Sequence, residues 1–257
     1  MEVISTREKL LRAAEKLFAE QGVGPTSTRA ILRDAGQRNE SALQYHFGGR
    51  EGLIDAMYVK RGAQIGEERE RMLRELDEAG GVQDVRRLCE VAVMPPVRIA
   101  RRDPEFALFL KVVGQLVFLP GEELREGATR YTGAGVGEVA KRIRAQLRIP
   151  RALADRRFDL MHRMAALALA QRALSGGSFD GPDAELFFET LLDAMAAVLE
   201  GPVSPATEGE LSKQSGSPMH LKPGYDPGNL SAIERDLDAE AFLDVTRRLS
   251  PEKDEPK

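Results

Sequence analysis

Between Ser27 and Phe47 the sequence gathers side chains of the types that read a nucleic acid. Arg38, Asn39 and Gln44 carry donors and acceptors that match guanine or adenine edges, whereas Ser41, Tyr45 and His46 suit phosphate oxygens. Glu40 stands among them as an acid: it can accept from cytosine, cap a helix together with Asn39, or repel non-specific duplex. Chemistry of other kinds is not spelled out. No GxSxG, HExxH, Walker or paired-cysteine motif occurs, the three histidines (His46, His162, His220) are scattered, and Cys89 is the single cysteine. No enzyme activity, cofactor or metal is expected.

The spacing around these residues is that of a helix-turn-helix. A helix capped by Ser27, with Ile31, Leu32 and Ala35 apolar, is stopped by Gly36, and a second runs from about Asn39 to His46. Gly36 lets the chain reverse so that the second helix projects by the depth a major groove admits, with Ile31, Leu43 and Phe47 as its support. Ahead of them, Ser5 and Glu8 form a capping box for a helix whose face is Leu10, Ala14, Leu17 and Phe18, ended by Gly22. Behind them, Gly48-Gly49 precedes a long helix from Arg50 to about Asp77.

Apolar residues recur at three- and four-residue spacing along nearly all of the remaining chain, with no alternating strand, so the expected fold class is all-α. Helices are expected near 82–94, 96–101, 104–118, 133–147, 151–174 and 183–200, two of them announced by Asp103-Pro104 and Gly181-Pro182. Residues 201–229, rich in Pro, Gly and Ser, read as an irregular connection. Beyond it, Ile233, Leu237, Ala241, Val245 and Leu249 suit an amphipathic terminal helix, and Pro251 to Lys257 a solvated tail. Three units follow: 1–49, a helix-turn-helix domain; 50–200, a helical domain; 201–257, an extension.

Composition narrows the class further. The 37 basic and 41 acidic residues leave a net charge of −4, which excludes a polycation that coats nucleic acid or anionic lipid. Residues 1–60 hold nine basic and eight acidic residues, so any electrostatic footprint there comes from placement. No apolar run is long enough for a membrane span and no signal peptide is apparent; with one cysteine, a reducing cytoplasm fits. The arginine-rich stretch Lys141, Arg142, Arg144, Arg148, Arg151, Arg156 and Arg157 is either a solvated helix face or a seat for an anionic ligand such as a coenzyme A thioester.

The runs Thr26-Ser27-Thr28-Arg29-Ala30-Ile31 and Leu43-Gln44-Tyr45-His46-Phe47-Gly48-Gly49-Arg50-Glu51-Gly52-Leu53, preceded by Leu17-Phe18-Ala19-Glu20-Gln21-Gly22, resemble the tetracycline-repressor-like (TetR) family of bacterial regulators over about the first 60 residues. The resemblance implies a homodimeric repressor with an N-terminal DNA-binding domain and a C-terminal domain that binds a small molecule and dimerises. It adds Ser27, Thr28, Arg29 and Arg50 to the DNA-contacting set. Ser27 would cap and touch phosphate, Arg29 would reach backbone or base edge, and Arg50 stands where the family usually has lysine. Two departures are the extra residue between Ala35 and Phe47, and Gln44 in place of a first aromatic.

On the same footing the central helices should hold the effector, a small hydrophobic or amphipathic molecule. Its candidate contacts are Phe106, Phe109, Leu110 and Val113 with Met161 and His162, and Met164 and Leu167 should face the same side. Helices 151–174 and 183–200 would form a four-helix interface between two subunits. The alternative is a helical ligand-binding or enzymatic protein whose helix-turn-helix serves as a protein-interaction module.

Overall fold

Ser5 starts the first helix as expected: its hydroxyl accepts the Glu8 N–H at 3.2 Å and opens α1 (Thr6–Gln21). The reciprocal half of the capping box is replaced, because the Glu8 carboxylate accepts from Arg12 Nε at 3.0 Å and from Lys60 Nζ at 2.6 Å. Ser27 caps α2 (Thr28–Asp34) through the Ala30 N–H. The next helix is shorter than its sequence suggests. Asn39 Oδ1 accepts the Ser41 N–H at 2.9 Å and Asn39 O accepts from Ala42, so the chain makes a turn before α3 (Ala42–Phe47) begins.

In this computed structural model residues 4–39, 41–80, 84–118 and 135–214 are described. Eleven helices and no strand occur among them. After the first three come α4 (Arg50–Glu78), α5 (Val85–Val93), α6 (Pro95–Arg102), α7 (Pro104–Phe118), α8 (Val136–Gln146), α9 (Arg151–Leu174), α10 (Pro182–Glu200) and α11 (Pro205–Gln214). No helix among the described residues is long and apolar enough to cross a membrane. Glu40, the rest of the 201–229 connection beyond Gln214 and the expected terminal helix lie outside the described residues.

The helix α11 corrects the irregular reading of that connection. Ser204 Oγ accepts the Thr207 N–H at 3.2 Å, Ser204 O accepts from Glu208, and Pro205 occupies the first helical position, where a missing N–H costs nothing. A proline read as a breaker is here a starter.

One core runs through the whole assembly. Helices α1, α2 and α3 pack together with the start of α4, and α1 also lies along α7. Helix α4, about 44 Å long at 1.5 Å per residue, leads from α3 to α5 and α6. It is fastened to α1 by a buried pair, Arg61 Nε donating to Glu15 Oε1 at 2.9 Å, and to α6 by Glu68, which accepts from Arg102 at 2.6 Å. Helix α7 packs against α6 and α9, and α9 against α10. At Gly114 the contact of α7 with α9 is so close that a Cβ would fall 2.9 Å from Leu174 Cγ and 3.0 Å from Ala170 O.

Candidate nucleic-acid interface and internal cavity

Helix α3 is built to show one face. Ala42 and Leu43 are buried, Phe47 packs on the core with the Arg7 guanidinium 5.1 Å from its ring centre, and Ser41, Gln44 and Tyr45 are exposed. At spacings of three and four these last residues share one side of the helix. Tyr45 is 85% exposed, unusual for an aromatic ring, and stands edge-on to His46 at 5.0 Å. Arg38 and Asn39, in the turn before α3, are exposed as well, as are Ser27 and Arg29 at the start of α2; Thr28 is half-buried. Seven of the ten expected contacts are therefore exposed, and Thr28 and His46 are half-buried.

Arg50 is the tenth, and it turns inward. Its guanidinium donates to the carbonyls of Val23 and Thr26 and lies 4.9 Å from the centre of the Phe18 ring, tying the α1–α2 connection to the start of α4. In this arrangement it works as a strut. Arg7 and Gly52 are contributors that the sequence reading passed over. Arg7 brings a cation beside His46, whose pKa is held below the ordinary imidazole value by burial first and by Arg7 second. Gly52 sets the distance between α3 and α4, since a Cβ there would lie 1.9 Å from the Phe47 carbonyl oxygen.

Below this surface a cavity of about 120 Å³ lies among α4, α5, α6, α7 and α9. Its lining is apolar apart from Tyr58, Arg69 and His162. Of the six expected ligand contacts, Phe109, Leu110, Val113 and His162 line it; Phe106 and Met161 are wholly buried in the core instead, Phe106 beneath Arg61 at 5.3 Å. Leu167, expected to face α7, is 42% exposed on the opposite side of α9. His162 stacks on Phe158, its Nδ1 is buried without a hydrogen-bond partner among the described residues, and its pKa is pushed down to about 4 by burial first and then by the charge of Arg69. The imidazole is neutral at pH 7. Tyr58, inward by its helical spacing, is not among the expected ligand contacts, and neither is Arg69, which falls on a highly charged stretch of α4 where nothing in its spacing marks it as buried.

One residue joins the cavity to the upper surface. Gln115, two positions beyond Val113 on α7, donates Nε2–H to Phe18 O at 2.8 Å and accepts the Val23 N–H on Oε1 at 2.8 Å. The end of α1 is thus held by the helix that forms the cavity wall.

Three members of the arginine-rich stretch are spent on structure, while Lys141 and Arg151 are largely exposed. Arg142 pairs with Asp77 and Glu138, Arg144 with Asp155, and Arg157 donates to the carbonyls of Leu199, Gly201 and Pro202 at the end of α10. Cys89 is buried and its thiol pushed up to about 12 by burial, so it behaves as a small apolar group.

A helix with an exposed polar face thus stands on an all-helical body that holds a largely apolar cavity. Residues 10–57 match the bacterial regulatory proteins of the tetR family. The helix-turn-helix is thus a TetR-family domain, and the fold around it is that of TetR-family transcriptional regulators. Two crystal structures carry the second statement. A TetR-family transcriptional regulator from Rhodococcus sp. is 22% identical, with 76% of this chain and 99% of that one covered and a TM-score of 0.51. A tetR family transcription regulator from Shewanella sp. PV-4 is 18% identical, with 76% and 96% covered and a TM-score of 0.52. Comparison with curated proteins returns no match.

Proposed function

We propose that the chain is a ligand-responsive repressor that binds a palindromic operator as a homodimer and is released by a small hydrophobic or amphipathic effector. Residues 1–49 read the operator, 50–200 bind the effector and dimerise, and 201–257 extend the second unit. Arg38, Asn39 and Gln44 face base edges; Ser27, Thr28, Arg29, Ser41, Tyr45 and His46 sit on phosphates, and Arg50 braces them from beneath. The observation that carries the reading is α7, which walls the cavity at Phe109, Leu110 and Val113 and holds the end of α1 through Gln115. An effector that favours a different setting of α7 moves α1, and with it the separation of the two recognition helices from the one-turn half-site spacing of ~34–36 Å.

Dimerisation is supported by the outer face of α9. Leu160 and Leu167, seven residues apart, are 59% and 42% exposed, and Leu186 on α10 is 70% exposed. A row of leucines at heptad spacing seeks a partner helix, and a second copy closes it into a four-helix interface.

The test is fluorescence anisotropy of the full chain on duplex from its own promoter region and on scrambled duplex, with Tyr45→Ala as the variant. Tyr45 is chosen over Arg50 because its loss removes an exposed ring without loosening the α1–α2 connection. Selective binding lost in Tyr45→Ala is expected. A genome-wide selection with purified protein that returned no enriched sequence would overturn the regulator reading.

A further inference from the structure

The first turn of α1 carries a cation that the fold leaves unused. Arg7 makes no hydrogen bond and no ion pair among the described residues, and its Nε is buried without an acceptor. Its guanidinium lies instead over the Phe47 ring, 5.1 Å from the centre, at the last turn of α3. The neighbouring acid is not its partner, because the Glu8 carboxylate already accepts from Arg12 Nε at 3.0 Å and from Lys60 Nζ at 2.6 Å. Beside Arg7 stands His46, whose imidazole feels the arginine's charge, and beyond His46 the exposed Tyr45 ring. A ring beneath a guanidinium fixes its plane and leaves the donors at its edge free.

Resting on the reading of this chain as a DNA-binding regulator, we propose that Arg7 is itself a DNA contact: its fork closes on the free oxygens of one operator phosphate beside His46 and Tyr45, so that α1 as well as α3 holds the duplex. A phosphodiester presents two such oxygens, which a guanidinium takes as a pair. The target is the DNA backbone and not a base edge, because Arg7 is half-buried at the end of α3, whereas Arg38 and Asn39 stand exposed in the turn before that helix. The contact also gives release a direct cause. Gln115 of α7 holds Phe18 O near the far end of α1, and α1 is one unbroken helix of 16 residues, so a displacement at that end is carried to Arg7 at its start.

The experiment is fluorescence anisotropy of the full chain on its own-promoter duplex and on scrambled duplex over a range of salt, for wild type, Arg7→Met and Arg7→Lys. Each phosphate contact contributes about 0.9 to the slope of log K against log salt, so Arg7→Met should lower that slope by about 2 for a dimer. It should weaken both duplexes alike, about tenfold, with their affinity ratio kept, since a phosphate carries no sequence. Arg7→Lys keeps the charge without the fork, so the slope should stay and the affinity fall by less. Should Arg7→Met fail to fold, Arg7→Gln takes its place with the same expectation. An unchanged slope in the variant without the charge, or a loss confined to the promoter duplex, would overturn the phosphate contact and leave the regulator reading standing. Wild type that found no preferred duplex in a genome-wide selection would overturn both.

Discussion

Replacing Gln115 by leucine keeps the volume on α7 and removes both of its links to α1. The two losses are unequal. Phe18 O also accepts the Gly22 N–H at 3.0 Å, so it stays satisfied, and the missing bond there costs about 1 kcal/mol. Val23 is 5% exposed, and its N–H would be left buried without an acceptor, at about 1–3 kcal/mol. Gln115→Leu should therefore destabilise the chain by about 2–4 kcal/mol, read as a lowered urea midpoint at unchanged slope. The functional effect is separable from the loss of stability. In anisotropy titrations well below the unfolding range, a cavity ligand that releases wild type from its duplex should release Gln115→Leu far less, although it still binds the cavity. A stability loss under about 0.5 kcal/mol together with unchanged release would refute the role of α7 as the shared wall.

His162 gives a pH signature. Its folded pKa of about 4 lies below the unfolded value of 6.5, so stability is fully present above pH 6.5 and is lost as pH falls toward 4. At pH 5 the loss reaches about 2 kcal/mol at most, as water at the exposed edge of the ring relieves part of it; urea unfolding of His162→Leu should show that much less acid sensitivity than wild type. Gly52→Ala should push α3 away from α4 and weaken duplex binding by tenfold or more, seen by anisotropy, while the cavity still binds its ligand. Leu167→Glu should shift sedimentation toward monomer and weaken operator binding without changing the helical circular dichroism spectrum.

What the sequence made legible was local. Ser5, Ser27, Asp103-Pro104 and Gly181-Pro182 mark helix starts with groups that act over three or four residues, and the helices begin there. Misreadings arose where one residue type serves two local purposes. Asn39 made a turn where it was read as helix, and Pro205 began a helix where it was read as a break. The exposed residues of α3 were legible because polarity on a short helix beside buried Ala42 and Leu43 has few other uses. Arg69, Gln115 and the inward Arg50 were not, since their partners are supplied by the tertiary fold: Gln115 meets residues 92 and 97 positions away. An arginine on a charged helix gives no sign of which neighbour will cover it. The same limit put Phe106 and Met161 in a cavity that the packing of α4 and α6 assigns elsewhere.

On the proposed function, in which one helix serves both the cavity and the end of α1, influence through that helix runs in both directions. Whatever factor the ligand takes from operator affinity, bound operator takes from ligand affinity. The dose needed for release is then no property of the protein alone: it rises with the number of operator copies and with how well each half-site fits α3, so weak promoters open first as the ligand accumulates.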